Sequence, residues 1–215
     1  MSPRPPTILI SAGPSREYFD DVRFLSNASS GAMGIEVARA AVSRGARAVL
    51  ALGPVALAPP AGVEVHSFVS ALELDAITKR LWPEVDAFVA TAAVCDYRPS
   101  TRLAGKRKKT GDEWIETLTP NPDVLALRSE EKGARVLVGF ALEADPRRDE
   151  AERKLRAKRL DVIILNSTQN LGSRAGRFEW IEAGGRSEEF ENITKSALAE
   201  KIVAYILSRI AVARR

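Results

Sequence analysis

Residues 31–54 read "GAMGIEVARAAVSRGARAVLALGP", and a change of period inside this stretch decides the fold. In its first half small and apolar residues recur at helical spacing, so that Met33, Val37, Ala40 and Ala41 line one face of a helix. Gly45 closes that helix as a C-cap, and "RAVLALGP" (47–54) follows as a strand. A buried strand, "TILISAG" (7–13), precedes it after a Pro-rich lead-in.

Working outward, the same alternation continues. "GVEVHSFVS" (62–70) reads as a strand, "ALELDAITKRLWPEV" (71–85) as a helix stopped near Pro83, and "DAFVATAAV" (86–94) as the strongest strand. "DVLALRSEEKG" (123–133) is a short helix, "ARVLVGFALE" (134–143) a strand, "DEAERKLRAKRL" (149–160) a charged helix and "DVIILNS" (161–167) a strand. The chain ends with "GRFEWIEAGGRSEEFE" (176–191), a hairpin turning at Gly184 and Gly185, and a helix from Lys195 to about Ala213. The expectation is an α/β, Rossmann-like doubly wound and mostly parallel sheet with β-hairpin appendages, forming one domain over residues 1–215. Residues 1–6 are expected to be a flexible lead-in, 97–120 an active-site insertion and 177–192 the hairpin. The insertion lacks a helical period, carries the basic run Lys106 to Lys109, and contains an alternating "EWIETL" (113–118) suited to a hairpin.

Composition narrows the chemistry. The chain has 215 residues, 45% hydrophobic and 28% charged, ordinary values for a folded globular protein. No apolar run approaches the ~18 residues of a membrane span, and "MSPRPPTILI" lacks the parts of a signal peptide, so a cytoplasmic location is expected. One cysteine, Cys95, and one histidine, His66, argue against a disulfide framework, Cys/His zinc sites and Ser/Cys-His triads. His66 lies in a strand and Cys95 at a strand end, where a structural imidazole and a small buried thiol are the simpler readings. The net charge of +4 and pI of 9.4 leave nucleic acid open as a partner, but few aromatics interleave the basic residues. No nucleic-acid and no membrane partner is expected.

In doubly wound sheets ligands bind beyond the carboxyl ends of the strands. Those ends carry "AGPSRE", "AAVCDYRP", "GFALE" and "NSTQN". "SNASSGAMG" (26–34) opens a helix toward an anion with Ser29 or Ser30 as its N-cap, but has neither P-loop nor G-x-G-x-x-G spacing. Asn27 within it can donate to an oxyanion and accept from an amine, which suits acyl transfer. The basic run can meet triphosphate oxygens. Asp96 is placed to bind a base, a ribose or a metal, or to cap a turn, and "NPD" (121–123) opens a helix. Lys154 and Lys158, four residues apart, share a helix face that would clamp phosphate if it looks into the cleft.

Taken together and in order, "ISAGPSRE", "VRFLSNASSGAMG", "AAVCDY", "KRKK", "NPDV", "VGFALE" and "DVIILN" resemble the phosphopantothenoylcysteine synthetase (phosphopantothenate cysteine ligase) family over nearly the whole chain. The resemblance implies the bacterial, CTP-dependent reaction of coenzyme A biosynthesis. The carboxylate of 4'-phosphopantothenate attacks the α-phosphorus of CTP, and the amine of L-cysteine then displaces CMP from the acyl-cytidylate. It implies that Asn27 handles the intermediate and Lys106 helps to form it. It further implies CTP contacts from Asp96, Lys106, Asn121, Pro122, Asp123, Val124, Phe140, Lys154 and Lys158. Phosphopantothenate contacts would come from Asn27, Ser29, Ser30, Gly31, Ala92 and Ala93. Mg2+ would accompany the triphosphate, with metal ligands left unassigned, and the protein would be a homodimer whose sites borrow residues across the interface.

Three positions depart from the family. Ala32 stands where a basic residue is common, which removes a phosphate contact from that side chain. Gly105 replaces an acidic residue ahead of Lys106, so a more mobile loop is expected. With no flavin decarboxylase half ahead of Thr7, that activity is expected either in a separate phosphopantothenoylcysteine decarboxylase or in a half that lies outside this sequence. The alternative reading, an NAD(P)-dependent Rossmann-fold oxidoreductase, shares the fold signals but lacks the glycine fingerprint and an acidic residue at the end of "LALGP".

Overall fold

A computed structural model describes residues 4–143, 147–170 and 172–214. In chain order the elements are β1 (Thr7–Ala12), β2 (Arg16–Tyr18), β3 (Phe24–Ser26), α1 (Ala32–Ser43), β4 (Arg47–Leu52), β5 (Glu64–Ser67), α2 (Ala71–Leu81) and β6 (Ala87–Ala90). There follow β7 (Tyr97–Pro99), β8 (Leu118–Pro120), α3 (Val124–Glu130), β9 (Val136–Glu143), α4 (Arg148–Ala157), β10 (Val162–Ser167), β11 (Ala175–Glu182), β12 (Ser187–Thr194) and α5 (Lys195–Ala213).

Eight strands form the main sheet in the order β12-β11-β10-β9-β6-β1-β4-β5. All neighbours from β10 to β5 are parallel, and only β11 runs against its partners. The expected doubly wound α/β sheet with a hairpin appendage is the structure found. Every residue of β1 is buried, as a central parallel strand covered on both faces requires. Successive residues point to opposite faces. Ile8 and Ile10 pack with α1 and α5, whereas Leu9 joins Trp82, Phe88 and Leu155 of α4 on the other side. Each such fully buried aliphatic contributes on the order of 1.5–3 kcal/mol.

The opening stretch folds as its period requires. Val37, Ala40 and Ala41 are buried with Ile35 and Ala38, and Gly45, at φ 75°, ends α1. There the N–H of Gly45 donates to Val42 O and that of Ala46 to Ala41 O, the paired bonds of a Schellman ending. Met33, half-buried, packs against the same core. One expectation needs correction. Neither serine caps α1: the cap position is Gly31, at φ 72°, while the Ser29 and Ser30 hydroxyls accept weakly from Gly31 N (3.3 Å) and Ala32 N (3.4 Å). A tight left-handed entry favours glycine there over a capping side chain.

The insertion also differs from expectation. "EWIETL" makes no hairpin of its own; β8 pairs instead with β7 across the insertion, Tyr97 opposite Pro120. The alternation in "EWIETL" fails as a strand signal because Trp114 is held by the neighbouring loop. Its ring lies edge-on to Phe19 and beneath the guanidinium groups of Arg23 and Arg107. Residues 1–3 of the lead-in lie outside the described residues. From Arg4 the chain is held, with its guanidinium on both oxygens of Asp86 at 2.8 and 3.0 Å. Among the described residues no helix is long and apolar enough to cross a membrane.

Candidate functional site

The chain order reverses direction across β1, with β4 on one side and β6 on the other, so a crevice opens at the carboxyl ends of these strands. Two basins lie there, one toward each face of the sheet. The first, about 270 Å³, is lined by Leu74, Asp96, Asn121, Pro122, Asp123, Val124, Leu125, Phe140 and Lys158, among others. The second, about 560 Å³, runs from Asn27, Ser29, Ser30 and Gly31 past Ala92, Ala93 and Lys154 to Asn166, Asn170 and Lys195. Both are lined by Ala90, Ala92, Val94, Asp96 and Phe140, and so they meet over β6 and β9.

In the first basin Asn121, Asp123 and Lys158 are already engaged, while the Asp96 carboxylate makes no side-chain hydrogen bond or ion pair among the described residues. Asn121 donates to Cys95 O at 2.8 Å and accepts from Arg98 at 3.2 Å, which fixes where the chain re-enters after the insertion. Asp123 caps α3 through Ala126 N at 3.0 Å and pairs with Lys158 at 2.6 Å. Lys158 stands one turn beyond Lys154 at the C-cap of α4, its N–H on Lys154 O at 3.0 Å; Lys158 lines the first basin and Lys154 the second. What remains for a ligand is an apolar slot between Val124, Leu125 and Phe140, the Asp96 carboxylate, backbone groups, and the rim cation.

At the junction, the amide nitrogen of Asn27 donates to Ala93 O (3.2 Å) and Val94 O (3.0 Å). Its donor capacity is therefore spent on the segment that follows β6, and the group it offers the cleft is the acceptor Oδ1. Glycine is needed beneath this junction. A Cβ on Gly34 would collide with Ala12 Cβ and Thr91 Oγ1, so α1 seats on β1 only without one.

Lys106 is the predicted residue that one chain does not bring to the cleft: it is exposed and lines neither basin. Its loop is docked on the β2–β3 turn. Gly105, expected to loosen the loop, is where it is held, by Asp21 Oδ2 (2.7 Å) on its N–H and Asp21 N (3.0 Å) on its carbonyl. Arg107 N donates to Asp20 Oδ2 at 3.1 Å. Burial raises the Asp20 pKa, but the N–H groups of Val22, Arg23 and Arg107 together outweigh it and hold the carboxyl below its ordinary value.

Cys95 and His66 take the structural roles expected of them. Cys95 is buried, and burial pushes its thiol up despite a hydrogen bond with Ser15. His66 sits between Glu64 (2.8 Å) and Arg80 (3.3 Å) outside both basins. Among the described residues no three His, Cys, Asp or Glu side chains converge, and Asp96 is the one carboxylate lining both basins. That donor set suits a magnesium ion carried in on phosphate oxygens rather than one caged by protein.

Sequence reasoning placed "NSTQN" at the cleft without singling out Asn166 and Asn170, and it missed Lys195 as a lining residue. "NSTQN" after β10 was a usable signal for the asparagines. Lys195 had none, because it follows an antiparallel hairpin and reaches the cleft through β12 lying at the far edge of the sheet.

Known proteins share this arrangement. A solved structure, the C-terminal domain of a Coenzyme A biosynthesis bifunctional protein CoaBC, superposes with a TM-score of 0.83 at 32% identity, covering 98% of this chain and 97% of that one. CoaBC of Vibrio vulnificus (strain YJ016) is 43% identical over 164 residues, 74% of this chain and 41% of that protein. A protein named cysteine/cysteine sulfinic acid decarboxylase, from an unknown prokaryotic organism, is 38% identical over 209 residues, 94% of this chain and 58% of that protein. The chain thus spans between two fifths and three fifths of these curated relatives. A family model matches residues 5–210, and the chain belongs to that family, the DNA/pantothenate metabolism flavoprotein C-terminal domain.

Proposed function

We propose that the protein is a CTP-dependent ligase of coenzyme A biosynthesis that joins 4'-phosphopantothenate to L-cysteine. The observation that carries this reading is the pair of basins that meet at Val94 and Asp96, with Asn27 hydrogen-bonded to Val94 beside the junction, inside the family just described. An acyl-nucleotide intermediate needs two ligands bound end to end, one basin for each, with the reacting carboxylate and α-phosphorus at the junction.

The nucleoside occupies the slot beside Phe140 and α3, with Lys158 at its rim, and Lys154 faces the phosphates from α4. Magnesium, if carried in on the triphosphate beside Asp96, would supply neutralisation of the phosphate charge. Attack by the carboxylate oxygen at the α-phosphorus expels pyrophosphate. The cysteine amine then forms the C–N bond as CMP leaves. Asn27 Oδ1 is the acceptor that orients that amine, since Ala93 and Val94 have taken its donors.

Lys106 comes from a second copy of the chain in this reading. Beside its loop Tyr97, Leu103, Trp114 and Leu118 are exposed, and Ile115 is 84% exposed. An apolar surface of this kind suits an interface between copies. The setting is the cytoplasm. The oxidoreductase alternative gains no support: β4 ends at Leu52 before Gly53, with no acidic residue to hold a ribose.

Purified protein supplied with magnesium, 4'-phosphopantothenate and cysteine is expected to release pyrophosphate from CTP, and less from ATP, GTP or UTP. Absence of release with all four nucleotides would overturn the reading.

A further inference from the structure

A third cavity lies between α4 and the β11–β12 turn. Its volume of about 330 Å³ falls in the range of small-molecule sites, and it shares no lining residue with either basin. Leu155, Leu160 and Ile181 give it an apolar floor. The rim carries four cations, Lys132, Arg148, Arg156 and Arg159, against two carboxylates, Glu152 and Glu182. Both carboxylates are engaged, Glu152 by Arg148 at 2.9 Å and Arg156 at 3.5 Å, and Glu182 by Trp180 Nε1 at 3.1 Å.

Arg159 differs from the other three cations. Among the described residues its guanidinium makes no hydrogen bond or ion pair. Its backbone sits at φ 48°, in the left-handed region that disfavours a side chain. The ending of α4 imposes that conformation: Arg159 N donates to Arg156 O at 3.1 Å and Leu160 N to Leu155 O at 3.0 Å. The same pair of bonds ends α1, and there the left-handed residue is Gly45. Lys132 fixes the strained arginine in place, its ammonium on Arg159 O at 2.8 Å and on Asp161 at 2.9 Å. Arginine thus stands where glycine would be less strained, with both backbone groups spent and its side chain at the cavity. Backbone strain kept at a cavity wall points to a use for the side chain that incurs it.

We propose that this cavity binds a small organic anion, a phosphate or carboxylate joined to an apolar body, and that Arg159 holds the charge. The cationic excess of the rim sets the sign of the ligand. The floor of Leu155, Leu160 and Ile181 calls for an apolar body, which inorganic phosphate lacks. Lys132, Arg148 and Arg156 already share their charge with carboxylates, so Arg159 brings the uncommitted guanidinium. No residue of either basin takes part, and the site stands or falls independently of the ligase reading.

The experiment compares wild type, Arg159→Gly and Arg159→Lys by calorimetry with 2-naphthyl phosphate, 2-naphthoate, 2-naphthol and inorganic phosphate. Wild type is expected to bind the two naphthyl anions about 10-fold or more tightly than either naphthol or inorganic phosphate. Arg159→Gly should weaken both anions by about 10- to 100-fold and leave naphthol unchanged, with Arg159→Lys in between. Glycine relieves the left-handed backbone, so the Tm of Arg159→Gly should equal that of wild type or exceed it by up to about 4 °C. A preference for the phosphate or for the carboxylate supports the site in either direction and names its anion. Equal affinities of wild type and Arg159→Gly for both anions, or no binding by wild type, would overturn the assignment. So would a lowered Tm in Arg159→Gly, which would make Arg159 a support of the fold, or naphthol or inorganic phosphate binding wild type as tightly as the naphthyl anions.

Discussion

The two basins share a strand end but are built on opposite terms. On the α2–α3 side Asn121, Asp123 and Lys158 are tied to Cys95, Arg98, Ala126 and one another. On the α1–α5 side Lys195 has no partner of opposite charge among the described residues, and Asn27 keeps an acceptor open. Polar side chains that have spent their hydrogen bonds set the shape of a pocket, whereas unspent ones recognise charge and take part in chemistry.

The sharpest way to break that contrast is at the junction. Asn27→Asp should leave pyrophosphate release near wild type while slowing amide formation by about 100-fold or more, because a carboxylate cannot donate to Ala93 and Val94. Lys106→Gln should suppress pyrophosphate release itself. Single-turnover assays of each half-reaction check both, and equal losses in both steps would erase the division between positioning and activation. Because the two residues are assigned to different copies, an equimolar mixture of the two variants should regain about a quarter of the wild-type product rate, from mixed dimers with one intact site. No regain would place them in the same chain.

Next in size is Gly34→Ala, which forces α1 away from Ala12 and Thr91. A loss of about 1–3 kcal/mol is expected in denaturant unfolding, with the second basin affected more than the first. Asp123→Ala tests the engaged basin. It removes a helix cap and the partner of Lys158, and should cost about 1 kcal/mol of stability. If Asp123 only shapes the pocket, KM for nucleotide rises several-fold while kcat holds.

The smallest effect is in the loop that carries Lys106. Asp20 has a lowered folded pKa, so its stabilisation is complete above the unfolded carboxylate value of about 3.9 and is lost as pH falls through the lowered folded value. Trp114 fluorescence, which reports the packing of Arg23 and Arg107, should therefore change in strong acid. Asp20→Asn should show the acid-like signal already at neutral pH.

Much of this was legible in the chain. The parallel strands announced themselves as short apolar runs and the hairpin by Gly184–Gly185, since both signals are local. "EWIETL" misled for the opposite reason: alternation says which residues face together, and the Arg23 and Arg107 guanidinium groups that hold Trp114 come from elsewhere. Ser29 and Ser30 misled because capping preference is statistical, while the entry to α1 demands positive φ at Gly31. Lys154 and Lys158 were expected to face the cleft and both line it, but that Lys158 is already paired with Asp123 depends on a residue distant in the chain.

The sequence by itself determined the layer order, the strand ends that carry chemistry, and the ordered motifs of the family, because period, capping and motif order are properties of neighbours along the chain. The tertiary structure alone decided that Asn27 faces the cleft as an acceptor, that Asn121 and Asp123 are spent on shape, that Lys106 lies outside the cleft of its own chain, and that Lys195 lies inside it. Each of those depends on which distant group occupies the other end of a hydrogen bond, and chain proximity carries no information about that.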